Sequence, residues 1–482
     1  MSDIVEQAKK RQKEDLKNAK DNTIYTSYLE TPEYILEQIK IATLAKDATL
    51  AQDTYVIYDK ANNNINYKND FEYENKIYKP IRDDLLDKGA ITLPSGIKEY
   101  ETTDKLIKEI TQFFFENFEV PNFYGKFLPY LCLFYWVYDK FPFIPYLHFV
   151  GRTTTGKTTA MEVFGSICYK AIDASGAITL SPIFRTSSTW RGTLLLDEFD
   201  TSGDSYRELV AFLKSGTGDR RVLRTEGEGV KSVKAHIAKS PKVFTSERPV
   251  YDAGLQSRTI TVMMNESTRP IPLYRLKAFT EQAENLRNKL LLWRLRNLNK
   301  IDLEDIQFGF EELKAFDKRV QQVVTPIYYL ADKNAKKEIL EFATQHQEET
   351  LRERREALDG AIFEAILEKW EKFEDVTVSM IHEKLGNEKL TAKRIGNIIR
   401  KVLQFDIVRA GHENVSQVIL DGKEAKIKSL CLYYGLPPSL ARVASIASVA
   451  NNEIKDIKPD QVDQIDIQKE KFLNEVGEEL PF

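Results

Sequence analysis

Gly151-Arg152-Thr153-Thr154-Thr155-Gly156-Lys157-Thr158 is a complete G-x-x-x-x-G-K-[ST] run, and its flanks decide the fold. Tyr146-Leu147-His148-Phe149-Val150 before it is a short apolar stretch that predicts a buried strand. Thr159-Ala160-Met161-Glu162-Val163-Phe164 after it predicts the first turns of a helix. Strand, glycine loop and helix, in that order, make a phosphate cradle. The glycines let backbone N–H groups close around phosphate oxygens, and the helix N-terminus adds the positive end of its dipole. On this reading the cradle runs from Gly151 to Thr159. Lys157 reaches the β- and γ-phosphates of ATP, and the Thr158 hydroxyl ligates Mg²⁺.

A second stretch supplies the carboxylates. Thr193-Leu194-Leu195-Leu196-Asp197-Glu198 is an apolar run ending in two acids, 40 residues beyond Lys157. A continuous apolar run reads as a parallel strand buried on both faces, and ligands of such sheets bind at the strands' carboxyl ends. Asp197 is placed to hold the Mg²⁺ shell, and Glu198 to act as general base on the attacking water. Lys242-Val243-Phe244-Thr245-Ser246 reads as a third core strand. Either hydroxyl at its end can hydrogen-bond that water, and Ser246 is the catalytic candidate. Arg258, in Leu255-Gln256-Ser257-Arg258 just before the strand-like Thr259-Ile260-Thr261-Val262, is the candidate arginine finger for a neighbouring subunit's nucleotide. Arg224 and Arg248 compete for that role.

These motifs, with the approach Tyr138 to Leu147 and the Phe199-Asp200 that follows the acids, resemble the P-loop ATPase domain of phage, plasmid and prophage replication proteins. That group is similar to superfamily 3 helicases and, more distantly, to the minichromosome maintenance helicases of the AAA+ class. The resemblance covers residues 127 to 265. It implies Walker A and B roles for the two motifs, an arginine finger at 255 to 258, and assembly as a ring, a hexamer in the simplest case. A second sensor arginine has no clear counterpart after residue 265, where Arg269 and Arg275 are the available side chains.

The 482 residues carry a net charge of −4, with 42% hydrophobic and 29% charged residues, the composition of a globular protein of several domains. No global basic field draws the chain to nucleic acid. Residues 451 to 482 hold nine acids against four lysines, a net −5, so the rest of the chain is nearly neutral and binds DNA only through local patches. Cys132, Cys168 and Cys431 have no zinc spacing, and the five histidines add no metal pattern. A reducing, cytoplasmic setting fits. The longest apolar stretch, Phe127 to Tyr138, contains Pro129 and is too short to span a bilayer; it predicts a buried helix beneath the sheet.

The expected organisation is an α/β P-loop NTPase core of the AAA+ or superfamily 3 kind, a mixed α+β N-terminal region, and a C-terminal helical part with a winged helix. The divisions are residues 1–105 of unassigned role, 106–265 for the ATPase core, 266–350 for a helical lid or linker, 351–425 for the winged helix, and 426–482 for an extension with an acidic tail predicted to be disordered. Residues 1 to 20 read as a solvated helix or arm. Within the core, Arg220 to Ile237 reads as a β-hairpin, either structural or projecting Lys231, Lys234 and His236 toward DNA phosphates. In the winged helix, Ala357 to Phe373 is the first helix, Ser379 caps the second and Thr391 the third. Ile395, Ile398, Ile399, Val402 and Leu403 form the third helix's apolar stripe. Lys393, Arg394, Asn397 and Arg400 lie on its other face, suited to DNA; protein contact is the alternative use. The terminal Glu478-Glu479-Leu480-Pro481-Phe482 is similar to the acidic tip of bacterial single-stranded-DNA-binding proteins and points to a host replication protein, a solubilising tail being the alternative.

Together these features predict an oligomeric, ATP-hydrolysing DNA helicase or translocase of a mobile genetic element. The alternative is an ATP-switched DNA-binding initiator or helicase loader that does not translocate.

Overall fold

The computed structural model describes residues 22–41, 52–174, 180–198, 204–226, 232–250, 252–273, 275–302, 304–306, 309–372, 374–386, 390–410 and 415–437. The chain forms two compact units, Met1–Gln347 and Glu348–Phe482.

The first unit opens with β1 (Thr23–Tyr25), β2 (Tyr28–Glu30), β3 (Tyr34–Ile41), β4 (Gln52–Asp59), β5 (Ile65–Lys68), β6 (Phe71–Tyr73) and β7 (Lys76–Lys79). β2 to β5 form an antiparallel meander, and β1, β7 and β6 a smaller sheet in that order. Asn62-Asn63-Asn64 lies between β4 and β5, with Asn63 at φ 57°. The arm expected over residues 1 to 20 lies outside the described residues.

The core sheet is built from β8 (Ile91–Thr92), β9 (Tyr146–Val150), β10 (Ala171–Asp173), β11 (Leu194–Leu196), β14 (Lys242–Ser246) and β15 (Thr259–Met263), with β12 (Arg221–Glu226) and β13 (Ser232–Ile237) paired apart from it as a hairpin. Its order is β15-β9-β14-β11-β10-β8. The first five strands are mutually parallel, and β8, which comes from before residue 106, closes the edge antiparallel to β10. Every residue of β9, β11 and β14 is buried. Helices cover both faces, so β11 is wholly apolar, and the polar residues of β9 and β14 (His148, Lys242, Thr245 and Ser246) are buried with hydrogen-bond partners. Leu147, Phe149 and Val243 face a core shared with Leu131, Phe164 and Leu290, on helices Asn122–Tyr135, Lys157–Ser166 and Lys277–Asn297. Tyr146, Leu194, Leu196 and Phe244 face a core shared with Ile183, Phe184 and Phe212, on helices Leu180–Trp190 and Asp204–Ser215. The apolar stretch around Pro129 is the helix Asn122–Tyr135, and Leu131 to Val137 are almost fully buried. Among the described residues no helix is long and apolar enough to cross a membrane.

A buried ionic cluster ties the N-terminal meander to the core. Glu37 of β3 accepts from Arg294 Nε at 2.7 Å, from Lys170 Nζ at 2.9 Å and from the Tyr169 hydroxyl at 2.9 Å. Arg294 also forks onto both carboxylate oxygens of Asp139 at 2.8 Å. Glu37, Lys170 and Arg294 are essentially solvent-free. Burial pushes the Lys170 ammonium down to about 8 against the pull of Glu37. Burial also raises the Asp139 carboxyl, but the Arg294 charge more than reverses this and leaves it below the ordinary range. Such a cluster satisfies its own charges, two carboxylates against two cations.

The second unit carries helices Leu358–Glu371, Val378–Leu385 and Ala392–Lys401, the antiparallel pair β16 (Asp406–Ala410) and β17 (Val415–Ile419), and a last helix, Glu424–Tyr434. The cap of the second helix is Thr377, whose hydroxyl accepts from Met380 N, and not Ser379: the backbone turns helical at Val378, so Ser379 is already inside. Thr391 caps the third helix, accepting from Arg394 N. Ile395, Ile399 and Leu403 are buried, but Val402 is 53% exposed: the helix ends at Lys401, so helical spacing no longer sets which way the next side chains point.

Candidate nucleotide site

The glycine loop follows β9 directly, and the helix Lys157–Ser166 starts on its last residues. Gly156 sits at φ 80° and Thr154 at φ 74°, the left-handed region that glycine enters at no steric cost. Gly151 is needed for a different reason. A Cβ there would lie 2.4 Å from Thr155 Oγ1 and 2.9 Å from the Met264 carbonyl oxygen, so loop and β15 close on it without room for a side chain. Arg152, Thr153 and Thr154 are exposed, whereas Lys157 is buried and pairs with no carboxylate among the described residues. A buried ammonium with no counter-ion suits an anion arriving from outside. Thr153 Oγ1 donates to Glu247 at 2.9 Å, and Thr159 lies in the first turn of the loop helix.

The interposed strand β14 joins this loop to the acids. β14 pairs with β9 on one side and β11 on the other, with Thr245 opposite Phe149 and Phe244 opposite Leu196. Thr245 is therefore level with Asp197. Its hydroxyl donates to Asp197 Oδ1 at 2.6 Å and accepts the Glu198 backbone N–H at 2.9 Å. Thr158 Oγ1 donates to the same Asp197 oxygen at 3.1 Å. One hydrogen-bonded chain thus runs Thr158–Asp197–Thr245–Glu198 and links the loop helix to the ends of β11 and β14. Glu198 sits at φ 50°, a conformation that costs a non-glycine residue on the order of 1–3 kcal/mol. The bond from its N–H to Thr245 helps hold it there.

Ser246, the hydroxyl singled out in the sequence, is not brought to the acids. Neighbouring strand residues face opposite sides, and Ser246 lies 2.7 Å from His148 Nε2 and donates to the Arg248 carbonyl. His148 stacks on Phe244 at 4.4 Å, and burial pushes its imidazole down to about 3. Thr245 takes the position beside the acids. Continuous burial of β14 erased the alternation that would have distinguished the two hydroxyls.

Among the described residues no three His, Cys, Asp or Glu side chains cluster as metal ligands. Thr158 and Asp197 present two adjacent hard oxygens, the sparse protein donor set that suits Mg²⁺ sharing its shell with phosphates and water.

The remaining candidates lie elsewhere. Arg258 precedes β15, whose first residue pairs with Tyr146 at the start of β9. It is therefore at the opposite end of the sheet from the glycine loop, about five residues or 17 Å away at the usual strand rise. Its Nη1 donates to the Gly254 carbonyl. Arg248, two residues past β14, is at the loop end and exposed. Arg269 donates to the Phe118 carbonyl at 2.7 Å, and Arg275 is ion-paired with Glu162 of the loop helix. In the β12–β13 hairpin Lys234 stands opposite Arg224, and Lys231 lies outside the described residues. His236 is buried beside the Phe184 ring, so it is not available to DNA phosphates, contrary to the sequence reading. In the second unit Lys393, Arg394, Asn397 and Arg400 are all exposed on the third helix, with Lys401 and Arg409 exposed nearby in sequence. The Leu480-Pro481-Phe482 tip lies outside the described residues.

No protein-family model matches the chain, and no curated protein matches it. Among solved structures, the A-form apo structure of the NrS-1 C-terminal region (305–718) aligns at 14% identity and a TM-score of 0.36, covering 80% of this chain and 96% of that one. A second A-form apo structure of the same region gives 13% and 0.37, and another apo structure 15% and 0.36, each with the same coverage. TM-scores this low set no constraint on fold or function, which rest on the residues themselves.

Proposed function

We propose that this chain is an ATP-hydrolysing DNA motor, a helicase or translocase of a mobile genetic element that works as a homo-oligomeric ring. The observation that carries the reading is the chain of hydrogen bonds from Thr158 through Asp197 and Thr245 to Glu198, which couples a glycine loop to an acid pair at the carboxyl ends of parallel strands. The backbone N–H groups of residues 152 to 157 bind the β- and γ-phosphates, and Lys157 neutralises charge that builds on them. Thr158 and Asp197 hold Mg²⁺, which when bound supplies further neutralising charge. Glu198 orients the attacking water and takes its proton, while Thr245 fixes the angle between the two acids. Arg258, too far from its own loop, acts on a neighbouring subunit's nucleotide. The second unit, read as a winged helix, presents Lys393, Arg394, Asn397 and Arg400 to DNA.

Steady-state ATP hydrolysis, with and without single-stranded DNA, tests the proposal against Lys157→Ala. A motor gives hydrolysis that DNA stimulates and the substitution abolishes. Slow turnover indifferent to DNA replaces the motor with an ATP-switched initiator or loader. Turnover no greater than that of Lys157→Ala removes the enzyme reading.

A further inference from the structure

At the end of the core sheet remote from the glycine loop lies a cavity of about 410 Å³. Its lining carries four cations, Arg207, Lys214, Arg220 and Arg258, and one carboxylate, Asp252. Arg207 and Lys214 are seven residues apart on helix Asp204–Ser215 and so share a face. Arg220 opens the β12–β13 hairpin, and Arg258 precedes β15. Asp252 is already committed: one oxygen holds Lys214 at 3.1 Å and the other caps the short helix after it, accepting Leu255 N at 2.8 Å. Among the described residues no carboxylate pairs with Arg207, Arg220 or Arg258. Arg258 Nε is buried without a partner. Burial, with Arg319 and Arg220 alongside, holds that guanidinium below its ordinary pKa.

Three guanidinium groups in one hollow share a single carboxylate, Asp252, that is already paired with Lys214, so they repel each other, and a buried N–H without an acceptor costs about 1–3 kcal/mol. An oxyanion entering the hollow offsets the repulsion and brings acceptors to the guanidinium donors. Guanidinium forks match phosphate oxygens in pairs. The four cations line one partly open hollow of about 410 Å³, room enough for a phosphate group among them.

We propose that this hollow is a second phosphate-binding site, with Arg207 and Arg220 as its principal donors beside Arg258, and that it takes the polyphosphate of a nucleoside triphosphate. The phosphate comes either free from solution or from a nucleotide seated in the glycine loop of another copy. The second source rests on the function proposed above; the first does not.

Two arms on the full-length chain separate them. In the first, inorganic tripolyphosphate is titrated calorimetrically into Lys157→Ala, whose glycine loop is disabled, and into the same protein carrying Arg207→Ala and Arg220→Ala. Binding that weakens about tenfold or more on loss of the two exposed arginines supports the site, the loss of one charged hydrogen bond being enough for that factor. In the second, Lys157→Ala is mixed with Arg207→Ala/Arg220→Ala protein, one lacking the loop and the other the hollow. Phosphate release that recovers in the mixture, from two preparations that are each deficient alone, identifies a nucleotide on another copy as the source. The inference is overturned if the double arginine variant hydrolyses ATP at the wild-type rate and tripolyphosphate affinity is unmoved, or if only DNA affinity falls. Failure of the wild-type protein to bind ATP defeats the glycine-loop reading but leaves the tripolyphosphate arm able to decide the hollow alone.

Discussion

Replacing Thr245 by Val tests the hydrogen-bonded chain with little change of shape. Thr245 is fully buried, so the methyl-for-hydroxyl exchange leaves packing nearly intact. It removes the 2.6 Å bond to Asp197 and the 2.9 Å bond from Glu198 N–H, which frees Glu198 to leave its left-handed conformation. A hydrogen bond to a charged group contributes about 1.5–3 kcal/mol. At about 1.36 kcal/mol per decade of rate, misplacing the two acids costs about 10- to 150-fold in kcat. Steady-state phosphate release at saturating ATP reads that loss, and binding of a fluorescent ATP analogue reads the loop independently. Thr245→Val should hydrolyse 10- to 150-fold more slowly, as estimated from those bonds, with analogue affinity little changed. Thr245→Ser, which keeps the hydroxyl, should recover most of the rate. A Val variant as fast as wild type refutes the chain; a Ser variant as slow as Val assigns the loss to packing.

Three further perturbations follow from the same geometry. Gly151→Ala forces its new methyl into Thr155 Oγ1 and the Met264 carbonyl, so binding of the ATP analogue should fall at least tenfold, about 1.4 kcal/mol; unchanged affinity shows that the loop can open at this point without cost. Glu37→Ala leaves Lys170 and Arg294 without their shared carboxylate, and chemical denaturation of the first unit should show a loss of about 3–5 kcal/mol, the usual cost of breaking a buried pair; a loss below 1 kcal/mol, roughly that of a surface pair, refutes the cluster's role. His148 has a pKa near 3 when folded and an ordinary value of 6.5, so between those limits the unfolded chain takes up a proton that the folded chain refuses. Stability from this group is complete above pH 6.5 and is lost as pH falls toward 3, amounting to about 2 kcal/mol by pH 5. His148→Gln should lack this increment, and equal acid sensitivity of the two proteins contradicts it.

What could be read from the sequence and what could not divide along physical lines. The glycine loop was legible because phosphate chemistry fixes four residue types within eight consecutive positions, and Asp197-Glu198 because an apolar run ending in acids marks a strand mouth. The partner of those acids was not. β14 comes after β11 in the chain but inserts between β9 and β11, and no local pattern encodes that adjacency. Arg294 was hidden in another way: an arginine reads as solvent-facing, yet this one is fully buried because Glu37 and Asp139 meet it from 257 and 155 residues away. The location of Arg258, by contrast, follows from one topological fact. In a parallel sheet all strands start at the same edge, so a residue just before β15 lies at the edge where β9 begins, while the glycine loop lies where β9 ends. No rearrangement of side chains alters that separation. Any phosphate that meets Arg258 in this fold must therefore come from somewhere other than the loop of the same chain, and the proposed ring and the proposed second phosphate site are two answers to where.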